Sequence, residues 1–339
     1  MKKTILVTGA NGFVGSHILE AMLQREDVHV IAACRQPERL PDTFSGEILQ
    51  GDLRNPAYRK QIVSGVDVIC HAAAWTSAWG HRELSDKFFY TPSVGLINDA
   101  VDAGVSRFVF LSSTSAAAPT QDSDPLRPGD EKRLRLWPHL RNVVRIEQHM
   151  QRLSGRGTGM VNLRVGLFAG RRYSLGLLPL LTPRLKTHLV PWVDKGRTGM
   201  PIVAGEDIGA AFALAATADI EADFEALHII GPEIPTVRDV LTFLHREYGL
   251  PLPHFSVPFP AAYRFARLME WLDPLVAWEP LVTRSIIHLL EETGASNEKA
   301  RAVLGYAPQV GWRAAIHMQM AEMAQRQQGA MSMARPLEG

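Results

Sequence analysis

Three glycines, Gly9, Gly12 and Gly15, stand three residues apart, directly after the apolar run Ile5-Leu6-Val7-Thr8. A helical pattern of Phe13, Val14, His17, Ile18, Ala21 and Met22 follows at once. A strand passing through such a loop into a helix builds an anion site. Gly9 permits the tight turn, Gly12 lets a pyrophosphate approach the backbone, and Gly15 lets the helix pack close to the sheet. The N–H groups and the dipole at the helix start then hold the phosphates. With Asn11, Phe13 and Val14 completing the loop, the stretch predicts a dinucleotide site. Arg35 follows the second apolar run, residues 28–34, with no acid before Glu38. A carboxylate there would accept from the ribose 2′-hydroxyl of NAD, whereas a guanidinium suits the 2′-phosphate of NADP. The predicted cofactor is NADP(H).

These residues need a sheet to hold them. Strand-like runs recur at 5–8, 28–33, 66–70, 107–111 and 161–165, and helical patterns at 12–23 and 94–103 lie between them. Such alternation predicts an α/β fold, a Rossmann-type doubly wound parallel sheet. Past residue 170 the pattern changes to apolar helical stretches with Pro-rich joints. The expected division is a dinucleotide-binding domain over 1–165 and 203–230, and a smaller, discontinuous C-terminal substrate domain over 166–202 and 231–325. Residues 326–339 are expected to be a flexible tail, and 119–138, with four prolines, a loop over the carboxyl edge of the sheet.

The motifs together resemble the extended branch of the short-chain dehydrogenase/reductase superfamily, of NAD-dependent epimerase/dehydratase type. The similarity spans nearly the whole chain. Thr8 to Gly15 matches its glycine fingerprint, and Gly51-Asp52-Leu53 the site where members hold adenine. His71-Ala72-Ala73-Ala74 matches the cofactor-lining segment, Leu111-Ser112-Ser113 the strand end that bears the catalytic serine, and Leu163-Arg164-Val165-Gly166 the sixth strand. The segments 279–284 and 296–308 are most similar to the 3β-hydroxysteroid dehydrogenase-like group. The resemblance implies that Asp52, Leu53, Ala72, Ala73, Ala74 and Ser112 join the glycine loop and Arg35 in binding the cofactor. It also implies that Ser113 orients the substrate oxygen.

It further implies a Tyr-x-x-x-Lys pair ahead of a Glu, and here the sequence departs. Anchored on Glu147, the Tyr position holds His139 and the Lys position Val143. There is no Tyr between residues 115 and 160, and the only Lys there is Lys132. None of Tyr58, Tyr90, Tyr173, Tyr248, Tyr263 or Tyr306 has a Lys four residues on. His139 shares a helix face with Asn142, Val143, Ile146 and Met150. An imidazole that titrates near its usual pH of about 6.5 can donate a proton near neutrality without a lysine. His139 is therefore the expected substitute donor, set against a purely structural role after Pro138.

The substrate wall is expected from the loop 75–81, with Trp75 and Trp79, and from the apolar segments 175–181 and 255–290. The aromatic-rich part of the latter (Phe255, Phe259, Tyr263, Phe265, Met269, Trp271, Trp278) reads as helical core or a partner face. A lid over a hydrophobic substrate, or membrane contact, is the alternative. Arg164, Arg171 and Arg172 leave room for a nucleotide-sugar diphosphate.

Composition narrows the class. The 339 residues carry a formal net charge of +1 and are 46% apolar, a globular balance that gives no general electrostatic case for nucleic acid. No run approaches the ~20 apolar residues of a membrane span. Cys34 and Cys70 both end apolar runs and read as buried free thiols of a reducing compartment. A strand beginning near residue 4 leaves no room for a signal peptide. The expectation is a soluble, cytoplasmic protein whose partners are a small-molecule substrate and a second copy in a homodimer, without nucleic acid or stable membrane insertion, and with no metal. The leading function is an NADP(H)-dependent oxidoreductase acting on an apolar carbonyl or alcohol. The alternatives are a nucleotide-sugar epimerase or dehydratase, and a non-catalytic NADP-binding regulator.

Overall fold

The computed structural model describes residues 2–77, 80–116, 137–172, 177–272, 282–288 and 294–334. Its centre is a seven-stranded sheet in the order β10-β6-β5-β4-β1-β2-β3, with every neighbouring pair parallel. The strands are β1 (Lys3–Thr8), β2 (Val28–Cys34), β3 (Glu47–Gln50), β4 (Val68–His71), β5 (Arg107–Ser113), β6 (Gly159–Val165) and β10 (Phe224–Ile229). Between β6 and β10 lie three short strands outside the sheet, β7 (Leu167–Ala169), β8 (Trp192–Val193) and β9 (Ile202–Ala204). β3 and β10 are additional to the runs expected from sequence. β3 is short and mostly exposed, so it carries little apolar periodicity.

The buried strands are apolar on both sides, as a parallel sheet covered by helices requires. On one face Ile5, Val7, Val109, Leu163 and Val165 pack with α1 (Phe13–Leu23) and α7 (Gly205–Thr217). On the other, Leu6, Ile69, Phe108 and Phe110 pack with α4 (Thr91–Asp102) and α5 (Pro138–Leu153). Each such side chain contributes about 2 kcal/mol by leaving water. Helices α2 (Pro56–Ile62) and α3 (Arg82–Ser85) precede α4, and a π-helical turn, Asp86–Tyr90, joins α3 to it. Pro138 opens α5 at a position where a missing N–H costs nothing.

A separate apolar cluster is drawn from later segments: Leu178 of α6 (Leu177–Lys186), Trp192 of β8, Met200, Val240 and Leu244 of α8 (Val237–Tyr248), and Trp312 and Ile316 of α12 (Trp312–Ala334). Helix α8 is fixed at both ends, by a reciprocal Thr236–Asp239 capping box and by Gly249 in the left-handed conformation. β11 (Ser256–Val257) pairs with β8, and α9 (Phe259–Leu272), α10 (Arg284–His288) and α11 (Glu298–Leu304) follow. The stretch from 326 is helical as far as Ala334. Its Ala, Met and Gln residues are good helix formers, a preference that a search for apolar faces overlooks. Trp79, Trp278 and most of the 119–138 loop lie outside the described residues. Among the described residues no helix is long and apolar enough to cross a membrane.

Candidate active site

The strand order reverses at β1 and β4, and the crevice beyond their carboxyl ends is where such sheets bind ligands. The glycine loop lies there. Gly9 takes φ 67°, and a Cβ on it would meet the Ala73 Cα at 2.6 Å, so the β1 and β4 loops touch as bare backbone. A Cβ on Gly15 would collide with the Gly9 carbonyl. Gly12 begins α1 with no side-chain cap, which leaves the first-turn N–H groups around Phe13 and Val14 to a ligand. This cradle, which any side chain would fill, fits a pyrophosphate.

Asn11 ties the loop to the next cofactor element, its Nδ2 donating to the Gln36 carbonyl at 3.2 Å. Arg35 stands exposed beside that carbonyl, its guanidinium in no hydrogen bond or ion pair among the described residues. Asp52 faces the same edge. Arg54 grips its carboxylate (Nη2–Oδ2 2.6 Å) and holds it below the usual carboxylate range, with Arg35 adding a smaller push. The Leu53 carbonyl accepts from Arg59 at 2.8 Å. Ala72 donates its N–H to the Thr8 carbonyl, so 72–74 run beside the glycine loop.

Sequence reasoning missed the role of His71. Its Nδ1 lies 2.6 Å from the Thr8 hydroxyl and its Nε2 2.9 Å from the Ser93 hydroxyl. The ring thus bolts the ends of β1 and β4 to α4 behind the loop. Complete burial pushes its pKa down to about 3, so it is neutral.

Neighbouring residues on β5 face opposite sides of the sheet. Ser112 turns toward α5 and donates to Glu147 Oε1 at 2.5 Å, so any cofactor contact is left to its backbone. Glu147 in turn holds Arg164 of β6 through two bonds, 3.1 and 2.8 Å. Ser113, at the strand end, accepts from the Ser115 N–H at 3.2 Å, which leaves its own hydrogen to donate into the crevice.

His139 lies eight residues before Glu147 on α5, about 12 Å nearer the helix start and so beyond the end of β5. Its ring is 5.0 Å from that of Phe89, in the π-helical turn. The ring lies against the Trp75 backbone, and its Nδ1 is buried without a hydrogen-bond partner. The neighbouring Trp75 backbone favours the charged ring. Burial nonetheless pushes the pKa down to about 4. His139 is therefore neutral at pH 7, not the half-titrated imidazole expected from its usual value. Val143, at the Lys position, is buried in the core.

The three arginines that left room for a nucleotide-sugar diphosphate are each paired with a carboxylate. Arg164 is fully buried against Glu147, Arg171 pairs with Glu206 and Glu20, and Arg172 pairs with Glu20 at 2.8 Å.

Residues 5–226 match the NAD dependent epimerase/dehydratase family. A 4-hydroxy-2-methyl-3-oxo-4-farnesyl-3,4-dihydroquinoline-1-oxide ketoreductase of Stigmatella aurantiaca is 27% identical over 319 residues, 90% of this chain and 92% of that protein. A 2-alkyl-3-oxoalkanoate reductase of Stenotrophomonas maltophilia is also 27% identical, over 90% of this chain and 95% of its own. Among solved structures, gox2253 superposes with a TM-score of 0.72 at 24% identity, covering 96% of this chain and 99% of that one. The UDP-glucuronic acid 4-epimerase of Bacillus cereus, in complex with UDP-glucuronic acid and NAD, gives 0.71 at 18%, covering 95% and 99%. At these identities the structural likeness speaks for the fold alone.

Proposed function

Since this chain belongs to the NAD dependent epimerase/dehydratase family, and so works with a nicotinamide dinucleotide, we propose that it is an NADP(H)-dependent ketoreductase for an apolar ketone. The substrate class we infer is a carbonyl compound bearing a long alkyl or prenyl substituent. The observation that carries the reading is the full-length similarity to two carbonyl reductases, one acting on a farnesyl and one on an alkyl compound by their names. The engagement of Arg164, Arg171 and Arg172 by carboxylates supports it, because a nucleotide-sugar diphosphate would need such cations unpaired.

In this reading the glycine loop and the start of α1 hold the pyrophosphate, Arg35 the 2′-phosphate, and the backbone of 72–74 lines the rest. A nicotinamide held there would supply the hydride that the carbonyl carbon accepts. Ser113 donates its hydroxyl hydrogen to the carbonyl oxygen, orients it, and stabilises the charge that develops there. The oxygen must then gain one proton. His139 delivers it when protonated, a state that burial makes scarce at neutral pH. In the reverse direction the neutral ring accepts the alcohol proton.

The test is NADPH consumption by the purified protein with alkyl and prenyl ketones, run beside UDP-sugars. Consumption with the ketones is expected. Sugar interconversion without net consumption would replace this reading with the epimerase one. Tight NADPH binding with no turnover on either panel would make the protein a regulator, the role to which the missing Tyr and Lys also point.

A further inference from the structure

Helix α9 turns an apolar face to solvent. Phe265 is 52% exposed, Leu268 49% and Trp271 70%. At spacings of three they span an arc of about 120° on the helix. The opposite face is anchored: Ala262 and Ala266 pack with Ile287 of α10 and, more loosely, with Tyr263 and Val282. The outward residues are therefore not a misplaced core face, because the helix already has one.

The charges on α9 are sorted in the same way. Arg264 and Arg267 are exposed; Arg264 projects within the apolar arc, nearly in line with Trp271, and Arg267 borders the arc beside Trp271. The only acid of the helix, Glu270, is turned inward, where its carboxylate takes the Arg284 backbone N–H at 2.6 Å and the guanidinium at 2.5 Å. The outer surface of α9 thus presents a tryptophan, a phenylalanine and a leucine with two cations and no anion. That pattern belongs to a helix lying in the plane of a lipid interface. Its apolar side chains enter the acyl boundary, while arginines, whose stems are apolar, keep their guanidinium groups among the headgroups.

We propose that α9 is a peripheral docking site for an anionic phospholipid bilayer. The surface charge selects this occupant. A second copy of the chain would set Arg264 and Arg267 against themselves across a symmetric contact, whereas an anionic lipid surface complements both. Docking of this kind is reversible and involves no membrane span. It does not depend on the substrate being apolar.

The experiment is co-sedimentation of the full chain with vesicles of phosphatidylcholine alone and of phosphatidylcholine mixed equally with phosphatidylglycerol. Binding is expected only to the anionic vesicles, and it should weaken as salt rises. A Phe265→Ser/Trp271→Ser variant and an Arg264→Glu/Arg267→Glu variant should each lose about tenfold or more in partitioning. Both should keep the parent's thermal midpoint and NADPH affinity, which shows that the fold and cofactor site are intact. Equal binding by parent and variants, or no binding to anionic vesicles, overturns the proposal. So does a dimer, seen by light scattering, that the serine variant dissociates while vesicle binding is absent. Failure of the ketone assay leaves this result unaffected, since the readout needs no turnover.

Discussion

Glu147 of α5 and Arg164 of β6 form a two-bonded ion pair with both side chains fully withdrawn from solvent, and Ser112 of β5 donates to the same carboxylate. Two strands and the helix that carries His139 are thereby fixed in one arrangement. The Arg164 Nη1 has no partner, so the guanidinium relies on this carboxylate for its neutralisation.

Glu147→Gln therefore leaves a buried cation uncompensated and should cost about 3–5 kcal/mol of stability. Replacing both partners, Glu147→Leu with Arg164→Met, should recover most of that loss, because no buried charge remains. Urea unfolding of the two variants beside the parent checks this. A single substitution costing under about 1 kcal/mol would rule out a load on the pair.

Arg35→Asp should invert cofactor preference. The new carboxylate repels a 2′-phosphate and accepts from a 2′-hydroxyl, so the NADPH-to-NADH affinity ratio should fall at least about tenfold. Titration of both cofactors by intrinsic fluorescence reads the ratio. An unchanged ratio removes Arg35 from the site.

In the proposed mechanism His139 sets the pH dependence of turnover. With its pKa pushed down to about 4, the imidazolium fraction falls about tenfold for each pH unit above that value. Carbonyl reduction should accelerate steadily from pH 7 toward pH 5, with no inflection near the usual histidine value. His139→Phe should lower kcat at least about tenfold and flatten this slope. Retention of both rate and slope in the variant would falsify the proton-donor role.

His71 sets a pH dependence of stability. Its folded-state pKa, about 3, lies below the ordinary histidine value, so in that window the unfolded chain binds the extra proton. Stability is full above about pH 6.5 and falls by about 1.4 kcal/mol per pH unit as pH drops toward 3. His71→Asn removes this titration and should shallow the acid limb of the urea midpoint plotted against pH. His139 adds a similar slope down to about pH 4.

The glycine loop was legible because its constraint is local: seven residues carry the turn, the close approach and the helix start. The sheet was legible from apolar runs that alternate with helical patterns. His71 was not, because Thr8 and Ser93 lie 63 and 22 residues away and become its partners only once β1, β4 and α4 are assembled. Spacing placed His139 on α5, yet its protonation depends on Phe89 and the Trp75 backbone, which no spacing reveals. The aromatic stretch of α9 read as core or partner surface, with a substrate lid or membrane contact as the alternative, and the fold divides it. Ala262 and Ala266 go inward, and Phe265 and Trp271 outward.

Val143 carries a last consequence. It is one of the apolar residues that seat α5 on the sheet. Putting lysine there would drive an ammonium into that seat, where an unpaired charge is among the costliest of substitutions. Making His139→Tyr and Val143→Lys together would therefore unseat the helix before any chemistry was regained. In the proposed mechanism, any gain in catalysis has to build forward from histidine and serine.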